Sequence, residues 1–262
     1  MGTEALNYWT WGALGVTVLL VTIGLIWWWK KRDPRALLVL SFEKIVFSPY
    51  PCSDKNQWYN PHKLKRQLLT LQQRGFSFIT PAQLTHLPEK PIWLTFMGGY
   101  GSFYSEIFPF LQEHHIPATL FLVPDTVNHY NTWQDPYQEP WQDVLTSKEL
   151  KVLQKSGLIS FGAAPLEGKD ISVVSQQDAL FFISESITRC KEVLKLPIVA
   201  TTLWPACGKH AAIASALQAA TKLPLITLFP RVNSLPLSSP VLTAFLPKRH
   251  AFKTWKALHR QH

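Results

Sequence analysis

The chain has 262 residues, with 26 Lys and Arg against 17 Asp and Glu, a net charge of +9 with His neutral. Apolar residues at 47% and aromatics at 13% exclude a disordered chain, and 12 Gly with 3 Cys exclude a collagen-like or disulfide-framework protein. Charged residues, at 16%, fall below the quarter or so of an average soluble domain, and the length suits one domain with a full core.

Residues 1–8 read as a short N-terminal tail. No charge occurs over residues 5–29, and the strongly apolar run 9–29 is 21 residues long. As a helix it would measure roughly 32 Å, enough to cross a hydrocarbon core of about 30 Å. Tyr8, Trp9 and Trp11 flank one end and Trp27, Trp28 and Trp29 the other, the pattern of an interfacial aromatic belt. Lys30, Lys31, Arg32 and Arg35 follow at once. A transmembrane helix over 9–29 and a basic juxtamembrane linker over 30–35 are therefore expected, with membrane lipid as partner of both. A cleaved signal peptide fits less well, because no basic segment precedes the apolar run and Trp stands where small residues belong. The basic flank after the helix predicts a cytoplasmic main domain.

Residues 36–262 read as one domain. Short apolar runs predict strands over 36–40, 76–80, 92–96, 118–123, 158–162, 198–204 and 223–229. Between them, helices are expected over 62–74, 103–114, 146–155, 176–195 and 209–221. The first has Leu64, Leu68 and Leu71 on one face and Gly75 as its stop. Strands alternating with helices predict an α/β fold with a parallel sheet, and about seven such strands suit a closed or nearly closed barrel, a distorted (β/α)7-type barrel. Near the C-terminus Phe252, Trp255 and Leu258 form a helical stripe among basic residues, suited to packing on the barrel or to an anionic membrane surface. No RNA- or DNA-binding motif is present, so nucleic acid is not an expected partner.

Three stretches carry a resemblance. The first is WLTFMGGYGSFY at 93–104, running on to IFPFL at 107–111 and IPATLFLV at 116–123. The second is SGLISFGAAPLEG at 156–168 and the third LWPACG at 203–208. In this order they resemble the motifs of the polysaccharide deacetylases (the NodB-homology domain), most of all the poly-β-1,6-N-acetylglucosamine N-deacetylases. That family's first motif reads Thr-Phe-Asp-Asp-Gly and its second carries His-x-x-x-His. The resemblance spans nearly all of 36–230 and implies a deacetylase-like barrel acting in exopolysaccharide production at a bacterial cell membrane. Such polymers are modified on the outer face, so the implied side of the membrane conflicts with the charge bias.

Family members hydrolyse an N-acetyl amide with a divalent metal such as zinc, held by the second Asp and the two His, while the first Asp takes a proton from water. Carried over by position, the base falls on Met97, the metal Asp on Gly98 and the two His on Ala164 and Gly168. Met offers a thioether unsuited to a hard divalent ion, and Gly and Ala offer no donor. The resemblance thus implies degenerate catalytic positions, no metal ligands and no cofactor. Remaining candidates for a groove at the barrel mouth are Glu43, Tyr100, Asp125, Trp141, Glu167, Asp170 and Trp204, and the loop aromatics Tyr100, Trp133, Tyr137, Trp141 and Trp204 are candidate platforms for sugar rings or core packing. The expected function is a membrane-anchored, catalytically inactive deacetylase-like protein that binds a glycan polymer or scaffolds a polysaccharide synthase or export subunit. An active N-deacetylase with a non-standard site and a pure protein-interaction module are the alternatives.

Overall fold

The computed structural model describes residues 37–47, 58–207, 211–229 and 241–245. The helix expected over 9–29, its basic flank and the C-terminal stripe lie outside them. Among the described residues no helix is long and apolar enough to cross a membrane.

Seven strands pair side by side in a ring, all parallel. They are β1 (Leu38–Phe42), β5 (Pro91–Phe96), β6 (Ala118–Leu122), β7 (Ile159–Ala163), β8 (Ile198–Cys207), β9 (Leu225–Phe229) and β10 (Val241–Phe245). β1 pairs with β5 along its whole length and meets β10 at Leu40 and Phe245, which closes the ring. β2 (Lys44–Ile45) and β3 (Trp58–Tyr59) form a separate small pair, and β4 (Ser77–Phe78) adds to the start of β5. The parallel barrel expected from the sequence is observed, with two corrections. The expected strand 76–80 shrinks to two residues outside the ring, and the seventh ring strand is β10, a segment not among the expected strands.

Helices cover the outside, and their starts follow from local chemistry. In α1 (Pro61–Gln73) the Asn60 side chain accepts from the Lys63 N–H at 3.2 Å, and Pro61 occupies the first turn, where its missing donor costs nothing. Leu64, Leu68 and Leu71 bury the inner face, and Gly75 at φ +76° turns the chain away. One π-helical turn over Phe103–Ile107 leads into α2 (Phe108–Glu113). α3 (Ser147–Lys155) opens on a reciprocal capping box between Thr146 and Glu149. α4 (Gln176–Glu192) starts at Ser175, whose hydroxyl accepts from the Asp178 N–H at 3.1 Å. α5 is Ala211–Thr221.

Alternation along the strands splits the core into two. One set, including Leu40, Phe42, Leu94, Phe96, Leu120 and Phe161, packs under the helices. The other set fills the barrel lumen: Val39, Trp93, Met97, Phe121, Val123, Ala164, Ala200 and Trp204. Polar lumen residues are paired within it. The hydroxyls of Ser41 and Thr95 share a hydrogen bond at 2.6 Å, and the Trp93 indole N–H donates to Thr119 at 2.8 Å. The Phe121 ring lies against Gly162 so closely that a Cβ there would sit 2.4 Å from its edge. Gly162→Ala is therefore expected to destabilise the fold by about 1–3 kcal/mol, seen as a lower denaturant midpoint at unchanged slope. Adding Phe121→Leu should recover part of the loss.

Candidate functional site at the barrel mouth

In parallel β/α barrels the loops after the strands' C-terminal ends build the site. Here Met97 follows β5 and donates its N–H to the Phe42 carbonyl at 2.8 Å. Ala164 follows β7 and donates to the Leu122 carbonyl at 2.9 Å. Both are buried in the lumen set. Gly98 and Gly99 take left-handed φ values of +84° and +70°, which turns the chain sharply from β5 towards Tyr100. Gly168 at φ +57° closes the loop after β7.

The four positions that the resemblance assigns to catalysis thus sit at the mouth, and a fifth residue occupies the space above them. A Cβ on Gly168 would lie 2.6 Å from Trp133 Cγ, and one on Gly98 would lie 3.3 Å from Trp133 Cζ2 and 2.8 Å from Tyr100 Cε2. The indole of Trp133 packs edge-on against Tyr100 (centroids 5.9 Å apart) and Trp204 (5.5 Å). It packs against the lumen set that holds Met97 and Ala164. The side-chain space of 98 and 168 is filled by an aromatic ring rather than left open.

Trp133 belongs to a hairpin over 128–145 that folds across the mouth. Its two arms pair at Tyr130 with Asp143, and Asn131 exchanges two bonds with Gln142. The returning arm is fastened to the turn after β5: the Leu145 N–H donates to the Gly99 carbonyl at 2.9 Å, and the Gly101 N–H donates to the Asp143 carbonyl at 2.8 Å. A buried ion pair pins the tip. Lys44 Nζ lies 3.0 Å from Glu139 Oε2, donates to Gln134 Oε1 at 3.1 Å and stacks over Trp58. Gln142 Nε2 in turn donates to Glu139 Oε1 at 3.1 Å. Nothing in the local sequence flags Lys44 or Glu139 as buried charges; each becomes tolerable only because the other arrives.

Tyr100 and Trp204 are buried, so as platforms for sugar rings they are corrected: packing, not solvent, surrounds both rings. Glu43 is only 7% exposed at the end of β1. Burial, followed by the negative charges of Glu43 and Glu139, pushes the Tyr100 phenol well above its usual range, against the pull of nearby Asn131 and Trp133 N–H groups. Tyr100 Oη, Asn131 Nδ2 and Trp133 Nε1 are close neighbours, yet none makes a well-formed hydrogen bond. Asp125 accepts from the Glu167 N–H at 3.0 Å, which holds Glu167 at φ +58°, and Asp170 caps the turn at Ser172 at 2.9 Å. The carboxylates of Asp125 and Asp170 are thereby accounted for as loop-shaping groups, while Glu167 takes part through its backbone N–H. Trp141 stays 46% exposed. Among the described residues no three His, Cys, Asp or Glu side chains are arranged to hold a metal ion. The side chains at 97, 98, 164 and 168 do not fit one either, since they offer one buried thioether and no oxygen or nitrogen donor.

The sequence profile of the family described as "Polysaccharide deacetylase" matches residues 85–225, more than half of the chain. A poly-beta-1,6-N-acetyl-D-glucosamine N-deacetylase of Staphylococcus epidermidis is 29% identical over 139 residues, covering 50% of this chain and 43% of the relative. One of Escherichia coli K12 is 39% identical over 62 residues, 21% of this chain and 9% of the relative. The chain therefore spans less than half the length of these curated relatives. Among solved structures, IcaB from Ammonifex degensii superposes with a TM-score of 0.69 at 20% identity, covering 85% of this chain and 96% of that one. The deacetylase PplD of Streptococcus pyogenes, in complex with acetate, gives 0.64 at 21% identity, covering 81% and 92%. At such identities these structures speak for the fold alone.

Proposed function

The chain belongs to the polysaccharide deacetylase family, and on that footing we propose that it is a non-hydrolytic member: a membrane-anchored protein that binds a poly-N-acetylglucosamine-like exopolysaccharide and positions it for a synthase or export subunit. The kinship with proteins named as poly-beta-1,6-N-acetyl-D-glucosamine N-deacetylases supports the polymer class. The observation that carries the loss of hydrolysis is that aromatic rings stand where side chains would have to project, Tyr100 at position 98 and the Trp133 indole at position 168. A metal-dependent amide hydrolysis needs donors for the ion, a base for water and open space for the acetyl group. The residues at 97, 98, 164 and 168 supply none of the three. The apolar run over 9–29 and its basic flank support anchoring in a bacterial cell membrane.

Purified full-length chain is expected to carry no stoichiometric metal by elemental analysis and to release no acetate from N-acetylglucosamine oligomers. Stoichiometric zinc together with steady acetate release would overturn the reading. A topology reporter fused to His262 assigns the side of the membrane, and carbonate extraction of membranes tests the anchor.

A further inference from the structure

We propose that the outward face of the 128–145 hairpin is a binding surface for a cationic amino-sugar chain, one whose ring amines are free and protonated. The inference rests on the glycan-binding reading and places recognition outside the old pocket.

The register of the hairpin supplies the geometry. Tyr130 pairs with Asp143, and the pair is flanked by two backbone bonds, from the Val144 N–H to the His129 carbonyl at 3.0 Å and from the Asn131 N–H to the Gln142 carbonyl at 3.1 Å. In an antiparallel ribbon, directly opposed residues share a face with their second neighbours. Tyr130 and Asp143 accordingly share one side and are exposed, as is Trp141 on the returning arm, while their neighbours Asn131 and Val144 are buried. Tyr130 is 52% exposed and Trp141 46%, on the two arms of the hairpin. Tyr137, 97% exposed, and Asp135 lie at its tip.

Three large exposed rings gathered on one hairpin mark a candidate interaction surface, and the Trp141 ring is held in place before any partner arrives. The Trp141 indole N–H donates to the Gln134 carbonyl at 2.7 Å, and the buried Lys44–Glu139 pair pins the tip beneath. Preorganised aromatic rings lose little freedom on binding. Charge selects the occupant. The whole chain is +9, yet no Lys or Arg occurs between Lys90 and Lys148, and the hairpin carries Asp135 and Asp143 on its exposed side. Rings flanked by carboxylates attract a ligand that offers flat C–H faces and ammonium groups together, through stacking, cation–π contact and ion pairing. A chain of de-N-acetylated hexosamines has both.

The test titrates the full chain calorimetrically with a glucosamine hexamer and an N-acetylglucosamine hexamer, at about pH 6, where sugar amines are protonated. The glucosamine hexamer is expected to bind at least about tenfold more tightly, and to weaken several-fold as salt rises from about 50 to 500 mM. Trp141→Ala and Tyr137→Ala should each weaken it about tenfold. Tyr137 touches too little of the fold for its loss to shift the melting temperature. Equal affinity for both hexamers, or affinity unmoved by both substitutions, would remove the hairpin from recognition while leaving the glycan reading intact. Binding of neither hexamer would sink both. Equally tight binding of an oligolysine of matched charge would overturn the proposal in favour of a basic peptide.

Discussion

Gly168→Ala is expected to cost the fold about 2–5 kcal/mol, and a large part of that cost should vanish when Trp133 is replaced by Gly. Two separate penalties are involved. The backbone at 168 is left-handed, at φ +57°, which costs a residue with a Cβ about 1–2 kcal/mol in any background. The new Cβ would also lie 2.6 Å from Trp133 Cγ and 2.7 Å from Trp133 Cβ. The Trp133 Cβ is fixed by its backbone, so a change of rotamer, which moves only Cγ and the ring, cannot clear the whole overlap, and it adds about 1–3 kcal/mol. Trp133→Ala removes the ring but keeps the Cβ contact and should rescue part of the loss; Trp133→Gly removes both. Chemical denaturation of the four members of this cycle should give a coupling of about 1–3 kcal/mol. Strict additivity would mean that the indole does not sit over position 168, and the account of a refilled catalytic mouth would go with it.

Lys44→Met should be comparably severe, at about 3–5 kcal/mol, because it strands the Glu139 carboxylate in a buried site. Replacing both partners, Lys44→Met with Glu139→Leu, is expected to be far milder, since a well-packed apolar pair avoids desolvating either charge. The two variants should also differ in where they loosen. Hydrogen exchange after Lys44→Met should rise first over 134–142, the tip that Lys44 holds through Glu139 and Gln134, before the barrel strands respond. A loss under about 1 kcal/mol would be the behaviour of an exposed ion pair and would contradict the burial of both groups.

How far the sequence can be read depends on whether a feature is local. β5, β6 and β7 are continuous apolar runs bounded by turns, and a strand buried on both faces of a parallel sheet has that signature. The helices announce themselves through Asn60, Thr146 and Ser175 and through leucines spaced by whole turns. β10 escapes detection because its five residues, VLTAF, follow a Pro- and Ser-rich stretch and form a short run interrupted by Thr and Ala, too weak a signal to stand out beside it. At the mouth, the motif resemblance leads to Met97, Gly98, Ala164 and Gly168. It does not lead to Trp133, which reaches them from a loop whose own pattern is polar. The available clue is indirect: glycine at both 98 and 168, together with four aromatic residues, Trp133 among them, in an otherwise hydrophilic connection. Tyr100 and Trp204 illustrate the reverse error, since ring chemistry suits sugar stacking and core packing equally and only the fold decides between them.

Closure of the ring through β10 ties the beginning of the barrel to its end. β1 meets β5 early in the chain, but its other edge is satisfied only by a strand some two hundred residues later. During synthesis both β1 and β9 must present unpaired backbone until residues 241–245 emerge. Contacts so distant in sequence form slowly, and open strand edges invite association with other chains. The polypeptide is therefore most vulnerable before residues 241–245 arrive, when all of the barrel except its final stave has been made.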